Sequence, residues 1–211
     1  MKPLQTYPRL VSIEGGEGAG KSTVIRALRD RLESQGERVI TTREPGGTPL
    51  AEKIRTLLLD PAHEPATPET ETLLMFAARA QHVRETILPA LESGAWVLCD
   101  RFTDSSYAYQ GAGRGVDEAL IATLERDCVG ITPSLTFLLD IDVAAGRARM
   151  RSRGGEPDRI ERERDEFFQR VRAGFLRRAE AAPQRFRVID ASQPAEAVAQ
   201  AALAALEAHR A

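Results

Sequence analysis

GGEGAGKS, residues 15–22, is the stretch of this sequence that determines its fold class. It matches the phosphate-binding pattern G-x-x-x-x-G-K-[ST], with a β-rich run, RLVSI (9–13), before it and a helical pattern, 21–34, after it. Backbone N–H groups of such a loop can surround phosphate oxygens, and the N-terminus of the following helix adds partial positive charge. We therefore predict a nucleoside triphosphate site. Its residues are Gly15, Gly16, Glu17, Gly18, Ala19, Gly20, Lys21, Ser22 and Thr23.

Three side chains of this loop carry predictions of their own. Lys21 should reach the β- and γ-phosphates, and the Ser22 hydroxyl should bind Mg²⁺. Glu17 is unexpected, because a carboxylate inside an anion-binding loop is unfavourable unless it faces a hydroxyl or a metal-bound water of a second substrate. The alternative is a glycine-rich turn with an accidental lysine. The strand before the loop and the helix after it argue against that alternative.

Short apolar runs alternate with helical patterns along the chain. The predicted strands cover residues 9–13, 37–42, 95–100, 134–140 and 185–190. The predicted helices cover residues 21–34, 49–59, 69–94 with a kink or break at Pro89, about 117–128, 143–153, a segment from near 161, and 194–209. This order predicts a single α/β domain over residues 1–211, a P-loop NTPase with a five-stranded parallel sheet and helices on both faces. Ligands of such sheets bind at the carboxyl ends of the strands.

The composition argues against several other classes of protein. A net charge of −2 disfavours a nucleic-acid-binding protein, which is usually basic. The apolar runs fall short of the roughly 18 residues of a membrane span, and MKPLQTYPRL lacks a signal-peptide core. Two cysteines make no disulfide framework, so we expect a reducing, cytoplasmic location. The three histidines are scattered without ligand spacing, and we assign them no role.

Further motifs narrow the class of P-loop protein. The chain has no asparagine, so the N-K-x-D base-recognition motif of switch GTPases is absent. A small P-loop domain with an arginine-rich insert resembles a nucleoside monophosphate kinase. More specifically, the sequence resembles bacterial thymidylate kinase from about Val11 to Asp190. The motifs that carry the resemblance are EGGEGAGKST (14–23), TREPGGTPLAEKIR (42–55), LLMFAARAQH (73–82), DRFTDSSYAYQGAGRG (100–115) and RGGEPDRIE (153–161).

This resemblance implies an enzyme that uses ATP and Mg²⁺ to phosphorylate dTMP. It also implies a homodimer, for which the helices at 69–94 and 117–128 are the candidate pairing surfaces. Two alternatives stay open. One is a kinase of another pyrimidine nucleotide, such as dUMP or dCMP. The other is a P-loop ATP-binding regulatory protein without transfer activity.

The resemblance also assigns roles to individual residues around the acceptor. The predicted dTMP contacts are Glu17, Arg43, Arg55, Met75, Phe76, Arg79, Arg101, Ser105, Ser106, Tyr109 and Gln110. By resemblance Arg101 binds the acceptor phosphate, Arg79 reads a thymine carbonyl, and Tyr109 packs beside the sugar 2′ position. Many relatives place an aromatic residue four positions before the arginine; here that position is Met75, while Phe76 lies three before it. Both spacings lie on the helix face of the arginine, so either residue could touch the base.

The last predictions concern the metal and the lid. Asp100, at the end of the third strand, joins Ser22 as a predicted Mg²⁺ ligand. The segment from about 143 to 162 resembles the arginine-rich lid of bacterial thymidylate kinases. It contains Arg147, Arg149, Arg151, Arg153 and Arg159 around the hinge candidates Gly154 and Gly155.

The lid has to supply charge because Gly18 stands where some relatives carry an arginine in the phosphate loop. The predicted catalytic residues are Glu17, Lys21, Arg101 and, from the lid, Arg153 first and Arg149 second. The alternative for the lid arginines is a solvated helix face with alternating charges.

Overall fold

A five-stranded parallel sheet organises the chain in the computed structural model, which describes residues 3–152, 154 and 156–210. Within those residues the strands are β1 (Gln5–Gly15), β2 (Val39–Arg43), β3 (Trp96–Asp100), β4 (Ile131–Asp140) and β5 (Phe186–Asp190). Their order across the sheet is β2-β3-β1-β4-β5, and every neighbouring pair is parallel. The predicted α/β fold class is therefore confirmed.

Helices connect the strands. They are α1 (Lys21–Ser34), α2 (Pro49–Leu59), α3 (Pro68–His82), α4 (Leu88–Glu92), α5 (Thr103–Ser106), α6 (Glu118–Leu124), α7 (Val143–Ser152), α8 (Asp165–Ala181) and α9 (Ala195–Arg210). The bounds predicted for α1 and α2 are confirmed. Thr48 explains the start of α2, because its side chain accepts a hydrogen bond from the Ala51 N–H and Pro49 occupies the first helical position. No helix in the described ranges is long and apolar enough to cross a membrane.

The central strand positions the phosphate loop. The second half of β1, from Leu10 to Gly15, is buried because β3 and β4 flank it and helices cover both faces. Pairing places Ile13 opposite Asp100 and Gly15 opposite Leu139. The loop that follows Gly15 thus emerges between the carboxyl ends of β3 and β4, where the polar side chains of three strand ends can meet.

Two predicted helices differ in the structure. The helix predicted over 69–94 continues from α3 through a π-helical turn, Val83–Ile87, into α4. Pro89 has no N–H to donate, and the wider turn directly before it absorbs the change without breaking the helix. The helix expected from near 161 begins only at Asp165, because the Asp158 carboxylate accepts hydrogen bonds from the N–H groups of Ile160 and Glu161 and holds a turn there.

The segment after β3, to which the sequence analysis assigned no element, is helical. It forms α5 and then a π-helical stretch, Tyr107–Gly113, which packs on α8. The close approach needs small residues. A Cβ at Gly113 would lie 2.6 Å from Phe167, and one at Gly174 would lie 2.7 Å from the Ala112 Cβ. Packing against α8 overrides the low helix propensity of the glycines.

The strand ends also extend beyond the prediction. β1 begins at Gln5 and β4 at Ile131, because these two residues pair with each other and prolong both strands at one edge of the core. A register shift between Tyr7 and Val11 separates this extension from the main part of β1.

Helix α7, the first part of the predicted lid, packs directly on the phosphate loop. A Cβ at Gly146 would lie 2.5 Å from the Glu17 carbonyl oxygen, and a Cβ at Gly18 would lie 2.0 Å from the Gly146 carbonyl oxygen. Gly18 also has a φ of +73°, which disfavours any other residue. Helix α7 therefore occupies the space into which a side chain at position 18 would extend.

Gly146→Ala tests this close contact. Because the new methyl meets backbone, it cannot be relieved by a side-chain rotation, and we expect a loss of about 1–2 kcal/mol despite the better helix propensity of alanine. That corresponds to a Tm lower by roughly 2–8 °C, measured by thermal unfolding. Ala148→Ser, on the exposed side of α7, is the control. An unchanged or higher Tm for Gly146→Ala would contradict the contact.

Candidate active site

Arg101 is the residue around which the site is built. It follows β3 with a φ of +70°, a left-handed backbone that is costly for any residue other than glycine. Its N–H donates to the Ile13 carbonyl at 3.0 Å, which ties the turn to the central strand. This conformation sends the guanidinium back toward the phosphate loop.

The Arg101 guanidinium joins the phosphate loop to the helical segment after β3. It donates to the Gly15 carbonyl at 3.0 Å, to Glu17 Oε1 at 2.6 Å and to the Tyr109 hydroxyl at 3.0 Å. It also lies 4.8 Å from the centre of the Tyr109 ring. Tyr109 in turn donates to Glu17 Oε1 at 3.3 Å. Three predicted site residues are thus in mutual contact.

Charge in this cluster keeps Glu17 ionised. Burial by itself would raise its pKa, but Arg101 and Lys21 outweigh burial and lower the pKa to about 2. The carboxylate is therefore ionised and a hydrogen-bond acceptor at neutral pH. The charges of this cluster also act on Lys21. Its pKa is lowered, first by burial and then by Arg101, while Glu17 and Asp100 oppose the change.

The predicted metal ligands lie on one cleft. Ser22 and Asp100 both line a cleft of about 1030 Å³ beside the phosphate loop. The Asp100 Oδ1 is buried and has no hydrogen-bond partner among the described residues. Such a carboxylate oxygen, in the same cleft as a hydroxyl, suits Mg²⁺, which binds a few protein oxygen ligands and keeps several waters.

Arg43 lines this metal-side cleft and not the acceptor cavity, and its assignment as a dTMP contact stays a prediction. It pairs with Glu52 at 3.0 Å and its side chain is 55% exposed. Its position in β2 sets this direction. Arg43 is the last residue of the strand and pairs with Asp100, so it lies on the same side of the sheet edge as the metal ligands.

A second cavity, of about 550 Å³, is lined in part by Glu17. We call it the acceptor cavity. The predicted residues that line it are Glu17, Arg55, Met75, Arg79, Arg101, Ser105, Ser106, Tyr109 and Gln110. The remaining lining residues are Glu44, Pro45, Leu59, Asp158, Ile160 and Glu161. Glu17 of the phosphate loop and its partner Arg101 therefore both form part of the wall of the acceptor cavity.

Met75 lines the acceptor cavity, whereas Phe76 does not, and which of the two contacts the base stays a prediction. Phe76 is 2% exposed and belongs to the core with Phe102 and Val97. The Arg79 guanidinium lies 4.8 Å above its ring. The Phe76 ring thus packs against the Arg79 guanidinium, while Met75, one position earlier on α3, lines the cavity.

Buried carboxylates behind the cavity were missed by sequence reasoning. Glu71 is 1% exposed and accepts hydrogen bonds from Gln110 at 2.9 Å and Arg159 at 2.6 Å. Burial would raise its pKa, but these donors and Arg114 lower it. Glu71 lies in the first turn of α3, where a negative charge is favoured by the helix N-terminus. The available signal was its place on the same helix face as Met75 and Arg79.

The lid segment is docked over the acceptor cavity. The Arg159 side chain donates to the Leu58 carbonyl at 2.7 Å as well as to Glu71, so it holds the lid to α2 and α3. This brings Asp158, Ile160 and Glu161 to the cavity. Arg147 donates to the Glu163 carbonyl at 2.7 Å and pairs with Asp165 at 3.0 Å.

The lid arginines differ in what they face. Arg147 and Arg151 line a cleft of about 990 Å³ that also reaches Glu17. The Arg149 guanidinium donates to the carbonyls of Ala191 and Ser192 and lines neither this cleft nor the acceptor cavity, so its catalytic role stays a prediction without a supporting contact. Arg153 and Gly155 lie outside the described residues. Gly154 has a φ of +72°.

Glu14, another residue that sequence reasoning left without a role, fixes the turn at Arg101. Fully buried, it accepts hydrogen bonds from the Phe102 N–H at 2.7 Å and from the Ser105 hydroxyl at 2.6 Å. Burial, and then the nearby Asp104 charge, raise its pKa to about 8. Glu14 is therefore mostly protonated at neutral pH and acts as a neutral anchor between β1 and the site.

The fold and the site together define a class of enzyme. A phosphate-binding loop, an acceptor cavity that shares a carboxylate with it and a lid lined with arginines define a P-loop nucleoside monophosphate kinase. A profile of the thymidylate kinase family matches residues 13–202 of this chain. The chain belongs to the thymidylate kinase family.

Individual relatives agree with this assignment. The chain is 57% identical over 202 residues to thymidylate kinase of Chromohalobacter salexigens, covering 95% of each protein. It is 54% identical over 194 residues to that of Alkalilimnicola ehrlichii, covering 92% of this chain and 89% of the relative. A crystal structure of thymidylate kinase from Ehrlichia chaffeensis has 32% identity and a TM-score of 0.77, with 96% of this chain and 99% of that chain covered.

The pKa of Glu14 predicts a pH-dependent stability. The folded protein keeps a proton on Glu14 up to about pH 8, whereas the unfolded chain releases it near 4.5. The stability this group contributes is therefore complete below about pH 4.5 and falls as the pH rises toward 8. Glu14→Gln resembles the protonated acid and cannot ionise.

We expect the Tm of the wild type minus that of Glu14→Gln to decrease steadily from pH 5 to pH 8 in thermal unfolding. Glu118→Gln, at an exposed carboxylate, should give a nearly constant difference over the same range. A constant difference for Glu14→Gln, or one that grows with pH, would show that Glu14 is ionised in the folded state.

Proposed function

We propose that this protein transfers the γ-phosphoryl group of ATP to dTMP, giving dTDP and ADP. One observation carries the proposal. Glu17 belongs to the phosphate loop and also lines the acceptor cavity, where it is bound to Arg101. A donor site and an acceptor site that share one ion pair suit direct transfer between two bound nucleotides.

The donor side follows from the phosphate loop. ATP is held by residues 15–23, with Lys21 directed at the β- and γ-phosphates. Mg²⁺ supplies charge neutralisation on the same phosphates when bound, and Ser22 and Asp100 are the side chains that would hold it. The unpartnered Asp100 Oδ1 supports this pair.

The acceptor side follows from the cavity lining. Arg101 and Arg55, at the end nearest the phosphate loop, suit the acceptor phosphate, whose oxygen attacks the γ-phosphorus while the bond to the ADP oxygen breaks. At the other end Arg79 and Gln110 supply hydrogen bonds for base recognition, and Met75 supplies an apolar surface for the ring. Glu17 accepts a hydrogen bond from a sugar hydroxyl.

The lid supplies positive charge around the transferring group. Arg147 and Arg151 line the cleft that meets Glu17, which supports a role for the lid in neutralising the transition state. Arg153 remains our sequence-based candidate for the arginine that contacts the transferring phosphoryl group.

A coupled ADP-release assay with ATP and a panel of monophosphates tests the proposal. We expect the highest kcat/KM with dTMP and lower activity with dUMP, since one methyl group in an apolar pocket is worth roughly 10–200-fold. Lys21→Ala serves as the inactive control. A preference for AMP or CMP would overturn the acceptor assignment, and ATP binding without turnover of any monophosphate would favour a regulatory P-loop protein.

The Tyr109 ring makes a second prediction about the same cavity. It is packed edge-on against Phe167 and Phe175, with centroid distances of 6.1 Å to each, so it cannot move aside for a ribose 2′-hydroxyl. Tyr109→Ala should therefore raise the kcat/KM ratio of UMP to dUMP by about tenfold or more.

Tyr109→Phe is the matched control for this experiment. It keeps the ring and removes the hydroxyl that contacts Arg101 and Glu17. It should lower kcat while preserving the sugar preference. An unaltered UMP to dUMP ratio in Tyr109→Ala would remove the assignment of the ring as the sugar gate.

Two wider expectations belong to the same proposal. A homodimer is supported by exposed leucines on neighbouring helices, namely Leu50 and Leu57 on α2, Leu73 on α3 and Leu120 on α6. Large exposed apolar side chains favour association with a second copy. We also retain the cytoplasmic location that the sequence suggested, as part of a proposed role in dTDP synthesis.

A further inference from the structure

His82 lies directly behind the acceptor cavity without lining it. Its side chain is fully buried at the end of α3, and both ring nitrogens have partners. Nδ1 lies 3.0 Å from Glu44 Oε1, and Nε2 lies 2.7 Å from the Thr42 hydroxyl. A buried imidazole bound on both sides is fixed in one orientation.

Glu44 connects this imidazole to Arg79. Its other oxygen, Oε2, accepts a hydrogen bond from Arg79 Nε, and both side chains are almost completely buried. Arg79 also donates to the Ser106 hydroxyl at 3.0 Å and to the Phe102 carbonyl at 3.2 Å. The position of the Glu44 carboxylate thus sets the position of the guanidinium that faces the acceptor cavity.

We propose that His82 is a positioning residue that orients Arg79, through Glu44, for recognition of the nucleotide base. This inference rests on the proposed function, because it takes Arg79 to contact the acceptor. His82 holds one Glu44 oxygen, so that the other presents a fixed acceptor to Arg79. Without His82 the carboxylate can rotate, and the arginine loses its alignment with the cavity.

The hydrogen-bond chain assigns the protons. A carboxylate bound to an arginine has only acceptor oxygens, so Nδ1 of His82 carries the proton that faces Glu44. In the neutral ring Nε2 is then an acceptor, and the Thr42 hydroxyl donates to it. Thr42 thus donates to His82 and His82 donates to Glu44. Arg79 donates to Glu44 from the other side, so the chain between β2 and the cavity converges on this carboxylate.

Gly47 shows how closely the chain packs on this imidazole. Its φ is +85°, and a Cβ at this position would lie 2.3 Å from the His82 ring. The Gly47 carbonyl is held by the Thr86 hydroxyl at 3.1 Å. The glycine in the TREPGGT motif therefore leaves space for the ring, and the loop after β2 locks it in place.

A metal site is the competing interpretation of this cluster. Among the described residues Glu44, His82 and Cys99 form a group whose ligand atoms lie within 4.8 Å of one another. Both Glu44 oxygens and both His82 nitrogens already have hydrogen-bond partners, and the Arg79 guanidinium touches the carboxylate. These contacts and the adjacent positive charge favour the hydrogen-bond chain.

Three substitutions separate the two links of the chain. His82→Asn keeps a donor at the place of Nδ1 and so retains the bond to Glu44. His82→Gln keeps a polar group only at the place of Nε2, and His82→Leu keeps neither. Steady-state kinetics with dTMP and ATP, together with thermal unfolding, are measured for all three and for the control His63→Leu, which changes an exposed histidine.

We expect KM for dTMP to rise about tenfold in His82→Leu and His82→Gln, the effect of losing one hydrogen bond to a charged group. His82→Asn should stay within about threefold of the wild type, and KM for ATP should be unchanged throughout. A purely structural role would lower Tm without this pattern. Unchanged KM for dTMP in His82→Leu, or equal effects of Asn and Gln, would overturn the inference.

A double-mutant cycle with Arg79→Gln tests whether His82 acts through the arginine. If it does, His82→Leu adds no further increase in KM for dTMP once Arg79 is replaced. An additive increase would overturn the proposal. Wild-type turnover of dTMP reports on the proposed function separately, so its absence would remove that function without being confused with a failure of the His82 variants.

Discussion

The ion pair between Arg101 and Glu17 joins the two halves of the site, and the relative position of donor and acceptor depends on it. Arg101 reaches Glu17 at 2.6 Å only because its backbone adopts a φ of +70° at the end of β3. Such a conformation persists only where surrounding contacts hold it. Here the Ile13 carbonyl and the neutral Glu14 side chain supply them. The central strand therefore fixes both the phosphate loop and the residue that faces it.

The same principle shapes the walls of the acceptor cavity. Glu44 and Glu71 are buried carboxylates, and a buried charge is unfavourable by several kcal/mol unless it is paired and hydrogen-bonded. Glu44 is hydrogen-bonded to Arg79 and His82, and Glu71 is hydrogen-bonded to Gln110 and Arg159. Each carboxylate fixes a donor that faces the cavity. Recognition groups are thus held in place before any ligand arrives, which lowers the entropic cost of binding.

The lid uses contacts of a different kind. Helix α7 lies against the phosphate loop through Gly146 and Gly18, where backbone meets backbone. The far end of the lid is held to α2 and α3 by Arg159. If that end opens, Glu71 keeps Gln110 and Arg114 as partners, so no buried charge is left unpaired. The wall of the acceptor cavity and the lid thus share one carboxylate, that of Glu71.

The sequence by itself determined the phosphate loop, the α/β order and the bounds of α1 and α2, because these follow from local patterns of glycine, proline and apolar spacing. It also placed nine acceptor-cavity residues through motif resemblance. Only the tertiary structure decided that Met75 and not Phe76 lines the cavity, and that Arg43 and Arg149 face elsewhere. A helical pattern shows on which face of the helix a residue lies, but what that face contacts depends on tertiary packing. For the same reason Glu14, Glu44, Glu71 and His82 had no visible role in the sequence, since their partners come from strands and helices far away along the chain.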